Sequence, residues 1–199
     1  MSAAAAPPDR LDRPALAGRP RQLLSRGSAL KPAVYRLDLP DGPVILKDCA
    51  ELPRWCRPFS RWLLRREERA LWRLDGLAGF PPVRARLDRD AILLGLVPGA
   101  PLQEASFARA PRRWAEELRQ KVQQMHSRRV YHLDLRQPQN LLLDEERGLG
   151  LVDFGASDAP GSLGQFLFGR LLGWVDRQAI LKYLARFAPQ ELTRAEARA

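Results

Sequence analysis

The sequence predicts an α+β protein of two lobes: a mostly antiparallel sheet with one helix, followed by a mostly helical half. Three observations predict it. Residues 33–39 (AVYRLDL) alternate apolar and polar side chains at the strand period, and the turn-forming Pro40-Asp41-Gly42-Pro43 leads into a second apolar run at 44–47. Trp114, Leu118, Val122 and Met125 recur at helical spacing behind Pro111, a residue suited to the first turn of a helix. Strand signals crowd into the first half of the chain and helical ones into the second.

Taken in order, residues 1–20 are rich in Ala, Pro and Arg and are expected to be a disordered, mobile arm. Residues 33–47 form the expected hairpin. Residues 58–75 read as a helix, with Pro58 near its start and Gly76 just past its end. Residues 84–87 and 91–97 read as two strands around the turn Asp88-Arg89-Asp90. These elements make up a first lobe over 21–97, and 98–199 make up the second. There, the helix opened by Pro111 precedes two short apolar strands, 140–143 and 150–152, around a turn at 144–148. One apolar helix then runs from about Gln165 to Phe187. Trp55, Trp62 and Trp72 are expected mainly to pack the first helix.

Composition narrows the functional classes. The chain has 199 residues, 45% hydrophobic and 28% charged, enough for one ordinary domain. No apolar run approaches the roughly 18–20 residues that cross a bilayer, and the N-terminus lacks a basic-then-apolar leader. A cytoplasmic protein is expected. Cys49 and Cys56 are too few for a disulfide framework or a zinc site, and with only His126 and His132 besides, no His/Cys cluster can form. The formal net charge is +10, which attracts polyanions. Nearly all the cations are arginine, spread evenly, so charge alone is weak support for nucleic acid as a partner. Lysine occurs only at positions 31, 47, 121 and 182, which makes a lysine in an apolar strand conspicuous.

The densest chemical signal lies between His126 and Gly155. A loop between a helix and a hairpin presents a carboxylate, Asp134, and a carboxamide, Asn140. The far strand of the hairpin ends in a second carboxylate, Asp153, followed by Gly155, where the backbone can turn sharply. Because a hairpin folds back, Asn140 and Asp153 are expected within a few ångströms, two hard oxygen donors suited to Mg²⁺. Asp134 would lie nearby, able to accept a proton from a nucleophile. An ion held by so few protein ligands also binds substrate phosphates, and Lys47 supplies a cation for them. At the end of an apolar strand its ammonium calls for a carboxylate, and the next helix offers Glu67 or Glu68. Glu67 shares a stripe with Leu63, Ala70 and Leu74, and Glu68 shares one with Leu64 and Leu71. Periodicity alone does not choose between them; Glu67 is preferred.

Together these segments resemble the protein-kinase family. Val44-Ile45-Leu46-Lys47 resembles the V-A-I-K strand, and Glu67 matches the glutamate of the following helix. His132-Leu133-Asp134-Leu135 resembles H-R-D-L, Asn140 the catalytic-loop asparagine, and Asp153-Phe154-Gly155 is a complete D-F-G. The resemblance covers residues 21–160 and implies a minimal bilobal protein-kinase-like fold, with a small antiparallel-sheet N-lobe and a truncated helical C-lobe. It also implies an ATP- and Mg²⁺-dependent (or Mn²⁺-dependent) phosphotransferase. Lys47, paired with Glu67, would bind the α- and β-phosphates, Asn140 and Asp153 would hold metal ions, and Asp134 would orient and deprotonate the attacking hydroxyl. A serine or threonine of a protein is the first acceptor.

Four departures from the family pattern qualify this. The phosphate-covering loop keeps only Gly27, so Ser28, Lys31 and backbone amides would have to supply phosphate contacts. Leu133 replaces the arginine of H-R-D, which implies no need for activation-segment phosphorylation. Asp134 and Asn140 are one residue further apart than usual, with Arg136 in place of the lysine that meets the γ-phosphate. After Gly155 there is no A-P-E and little chain, which resembles trimmed bacterial Ser/Thr kinases and the RIO-type and lipopolysaccharide-core sugar kinase groups. A sugar or lipid hydroxyl is therefore an alternative acceptor, and a pseudokinase scaffold an alternative function. The last apolar helix most simply closes the C-lobe; its interleaved arginines and aromatics also suit peripheral contact with the anionic inner face of a membrane.

Overall fold

A computed structural model describes residues 11–28, 30–158 and 162–198. The chain divides into two units, residues 1–64 with 83–95, and residues 65–82 with 96–199.

The first unit is built on a five-stranded sheet. Its strands are β1 (Gln22–Ser25), β2 (Ala33–Leu39), β3 (Gly42–Asp48), β4 (Val83–Arg86) and β5 (Ala91–Gly95), in the order β1-β2-β3-β5-β4. Every neighbouring pair is antiparallel. The expected hairpin is present: Leu39 faces Gly42 at the turn, and Val34 faces Lys47 at the far end. β5 is buried along its whole length, as its unbroken apolar run dictates, and it stops at Gly95 rather than Val97. The edge strand β1 is exposed at all four positions and carries no alternation from which it could have been read.

Alternate residues of the hairpin, Leu37, Val44 and Leu46, form one apolar cluster with Ala91 and Leu93. Leu16 completes this cluster, 1% exposed. Residues 1–10 of the expected mobile arm lie outside the described residues. From Arg13 on the expectation differs from the structure, because Pro14–Leu16 forms a short 3₁₀ turn anchored on the sheet. An Ala/Pro-rich stretch reads as mobile by composition, but one leucine at the right place has a core to enter.

Helix α1 spans Arg57–Arg73, and Gly76 follows it in the left-handed region. Its buried positions include Leu64, Glu67, Ala70 and Leu71. The tryptophans do not pack as expected: Trp55, Trp62 and Trp72 are 77%, 43% and 55% exposed. Trp62 falls on the opposite side of the helix from the Leu64/Leu71 stripe and Trp72 about a quarter-turn from it, while Trp55 precedes the helix, and Phe59 lies against Trp62 with 5.6 Å between ring centroids.

In the second unit, β6 (Ala100–Pro101), β7 (Leu141–Asp144) and β8 (Gly148–Leu151) form a small antiparallel sheet. Three helices accompany it: α2 (Glu104–Arg109), α3 (Pro111–Ser127) and α4 (Ser162–Phe187). α3 buries Trp114, Leu118, Val122 and Met125, the residues whose spacing predicted it. α4 buries Ala179, Ile180, Tyr183 and Leu184, and it carries Phe168, Leu171 and Trp174 exposed. Among the described residues no helix is long and apolar enough to cross a membrane. The protein is thus α+β, with a five-stranded antiparallel sheet and four α-helices among the described residues, consistent with a small kinase-like fold.

Candidate functional site

The second unit brings Asp134, Asn140, Asp153 and Glu67 into one connected arrangement. The hairpin does the first part. Leu141 faces Leu151, and the ladder extends one step further, where the Val152 N–H donates to the Asn140 carbonyl at 3.0 Å. Asn140 therefore ends one strand while Asp153 follows the residue bonded to it on the other.

The Asn140 side chain is oriented by Asp134. Its amide donates to the Asp134 carbonyl at 2.9 Å and to the Asp134 carboxylate at 3.4 Å. With the nitrogen so engaged, the carboxamide oxygen is the atom left for a metal. The extra residue between Asp134 and Asn140 is absorbed by a 3₁₀ turn at Pro138–Asn140, in which the Asn140 N–H bonds to the Gln137 carbonyl at 3.0 Å. Asp153 has φ +62°, in the left-handed region that favours glycine. It precedes a 3₁₀ turn, Phe154–Ala156, whose first N–H donates to Glu67 at 3.2 Å. Glu67 is 2% exposed, whereas Glu68 is half-buried. Of the two glutamates that periodicity left open, Glu67 is the buried one.

A carboxylate and a carboxamide form a hard oxygen pair that fits Mg²⁺. Among the described residues no three His, Cys, Asp or Glu side chains cluster to hold a metal by themselves. An ion at Asn140 and Asp153 would therefore complete its shell with water and phosphate oxygens.

The loop preceding this pair is held from below by α4. Asp176, 1% exposed, accepts from the His132 N–H at 3.0 Å and the Leu133 N–H at 2.8 Å, and it meets His126 Nε2 at 3.0 Å. Leu133 is left-handed as well, φ +64°. The two N–H bonds to one carboxylate account for a conformation that leucine rarely adopts. Tyr183 donates its hydroxyl to the Leu135 carbonyl at 2.9 Å, and Lys182 donates to the Arg136 carbonyl at 2.8 Å. Asp176 was not recognised in the sequence. Its signal was present, because it falls on the same helical face as Ile180 and Tyr183, where a carboxylate needs a partner.

His132 is fully buried, and burial pushes its imidazole below the ordinary histidine range. Its Nε2 lies 2.9 Å from the Val152 carbonyl. A carbonyl only accepts, so that nitrogen carries the proton and His132 is a neutral brace between the loop and the hairpin. Its ring packs on Phe154 at 4.6 Å.

In the first unit, Lys47 is 7% exposed near the end of β3, opposite Val34 on one side and Ile92 on the other. Gly27, Ser28 and Lys31 share a loop between β1 and β2. This loop bonds to itself: the Ser28 N–H donates to the Lys31 carbonyl at 3.2 Å, and the Lys31 N–H donates back to the Ser28 carbonyl at 3.3 Å. Gly27 is left-handed, φ +69°, and its α-carbon lies so close to the Lys31 and Pro32 carbonyls that no side chain fits there. Arg136 is exposed in the second unit.

No protein-family model matches the chain. Shorter similarities exist. CBL-interacting protein kinase 10 of Oryza sativa subsp. japonica is 50% identical over 46 residues, 23% of this chain and 10% of that protein. CBL-interacting protein kinase 30 of the same organism is 48% identical over 52 residues, 26% of this chain and 11% of its own length. The hormonally up-regulated neu tumor-associated kinase of Mus musculus is 34% identical over 79 residues, 37% of this chain and 11% of that protein. The matched segments span about a tenth of these relatives. Part of this chain is therefore similar to protein kinases.

Proposed function

We propose that the protein is an ATP- and Mg²⁺-dependent phosphotransferase that moves the γ-phosphate to a hydroxyl. The observation that carries this reading is the joint placement of Asp134, Asn140 and Asp153, with one amide bonded to Asp134 and one backbone bond aligning the hairpin ends. Similarity to protein kinases over part of the chain supports it.

Asn140 and Asp153 would hold the magnesium ion, which when bound neutralises charge on the phosphates. Lys47 would bind the α- and β-phosphates. Asp134 would accept the proton of the attacking hydroxyl and hold that oxygen in line, while Arg136 would meet the γ-phosphate. The residues contribute positioning and charge rather than a covalent intermediate. A serine or threonine hydroxyl of a protein is the first acceptor, and a sugar or lipid hydroxyl is the alternative. The exposed Phe168, Leu171 and Trp174, beside Arg170 and Arg177, support peripheral contact with an anionic inner membrane face, at a cytoplasmic location.

A pseudokinase scaffold is the second reading, favoured by the self-bonded loop, which engages the backbone amides of Ser28 and Lys31. The two readings separate on nucleotide. For the enzyme, Mg-ATP raises the melting temperature and Asp153→Asn removes most of the rise. No rise, with no label transferred from γ-labelled ATP into the protein, lipid or soluble fractions of a lysate, selects the scaffold.

A further inference from the structure

Near Lys47 the sheet carries a cluster of charge that the proposed chemistry does not use. Arg13 meets two carboxylates at once. Its Nη1 lies 2.5 Å from Asp48 Oδ2 and its Nη2 3.1 Å from Asp48 Oδ1, while its Nε lies 2.6 Å from Asp88 Oδ2. Nη2 also reaches Asp88 Oδ1 at 3.3 Å. Asp48 is the last residue of β3, adjacent to Lys47. Asp88 belongs to the turn joining β4 to β5, and β5 pairs with this end of β3: Lys47 faces Ile92 and Asp48 faces Ala91.

Both carboxylates are fixed locally. Asp48 accepts from the Ala50 N–H at 2.8 Å, and Asp88 accepts from the Asp90 N–H at 2.7 Å. Neither can swing away without breaking its turn. Arg13 is fixed too, since Asp12 caps the following turn through the Ala15 N–H at 2.9 Å and Leu16 sits in the core of the sheet. The guanidinium thus neutralises two acids that the backbone holds side by side; the pairing pushes the Asp88 carboxyl below its ordinary range and the Arg13 guanidinium above its own. Next to this group, Asp90 pairs with Arg61 of α1 at 2.5 Å.

We propose that residues 12–16 are a latch on the Lys47 end of β3, and that Arg13 is a positioning residue for Lys47. Without Arg13, Asp48 and Asp88 repel each other across the β3–β5 pair, and the strand end that carries Lys47 opens. The inference rests on the reading of Lys47 as a phosphate ligand, and its effect on the strand can be read without any nucleotide.

The test uses the full chain with Arg13→Ala, with Arg13→Lys, and with Arg13→Ala and Asp88→Asn combined. The carboxamide that Asp88→Asn introduces can still accept from the Asp90 N–H but no longer repels Asp48. Amide hydrogen exchange over residues 42–48 is expected to accelerate in Arg13→Ala. The Kd for Mg-ATP, measured well below the melting temperature, is expected to rise about tenfold, the effect of losing one strong contact. Arg13→Lys restores part of both, and the double variant restores most of both. A side chain that only adds packing would not be rescued by removing a negative charge elsewhere. Unchanged exchange over 42–48 in Arg13→Ala overturns the latch, as does a defect that Asp88→Asn fails to repair. If the wild-type chain binds no Mg-ATP, the phosphotransferase reading and the positioning role fall, while the exchange measurement still decides the latch.

Discussion

At the residue scale, Asp134 and Asp153 are separated by their neighbours rather than by their type. Asp134 is bonded to the Asn140 amide and sits in the loop that would face a hydroxyl; Asp153 stands at the hairpin's end in a left-handed conformation. Asp134→Asn is expected to leave Mg-ATP binding nearly unchanged while turnover falls by about 10²–10⁴-fold, the usual contribution of a general base. Equilibrium binding and single-turnover transfer on the same sample measure the two effects, and loss of both together removes the base role. His132 contributes in a different way. Buried and neutral, it braces the loop against Val152, so its own titration is not expected to appear in a pH–rate profile near neutrality.

At the scale of elements, α4 acts as the bed of the 131–136 loop. It reaches three consecutive stretches of that loop through Asp176, Tyr183 and Lys182. Asp176→Asn replaces one acceptor by a donor facing backbone N–H groups, and it is expected to destabilise the protein by about 2–3 kcal/mol. Urea unfolding measures this; a variant within error of wild type would remove the bed role. The elements also show what the sequence could disclose. The hairpin of β2 and β3, the helix from Pro111 and the hairpin of β7 and β8 were legible because each has a clean period or an unmistakable turn. β1, four residues all exposed, and α2, only six residues long, have neither. Leu16 was hidden by composition. The apolar face of α4 marks Asp176 as a carboxylate in need of a partner, but no local pattern names that partner, 44 positions earlier. The nearness of Asn140 to Asp134 was legible, but the hydrogen bonds that engage the Asn140 amide nitrogen were not, because they depend on the turn between the two residues.

At the scale of the whole molecule, stability in acid has an identifiable contributor. Arg119 binds Glu196 through two nitrogens, at 2.9 and 2.8 Å, and holds its carboxyl at about 2 rather than 4.5. The folded value lies below the unfolded one, so the stabilisation is fully present above the unfolded value. It is lost as pH falls through the folded one. Once solvent screening is allowed for, the pair contributes about 1 kcal/mol. Glu196→Gln is therefore expected to lower stability at pH 7 and to converge with wild type as the pH drops from about 4.5 toward about 2. Parallel stability curves across that window would remove the pair from the account.

The exposed aromatic residues have an optical consequence. Of five tryptophans, Trp55, Trp62, Trp72 and Trp174 are each at least 43% exposed, and Trp114 is 2% exposed inside α3. Indole emission of the native protein should already be red-shifted and open to quenching by acrylamide. Its change on denaturation will therefore report mainly on Trp114.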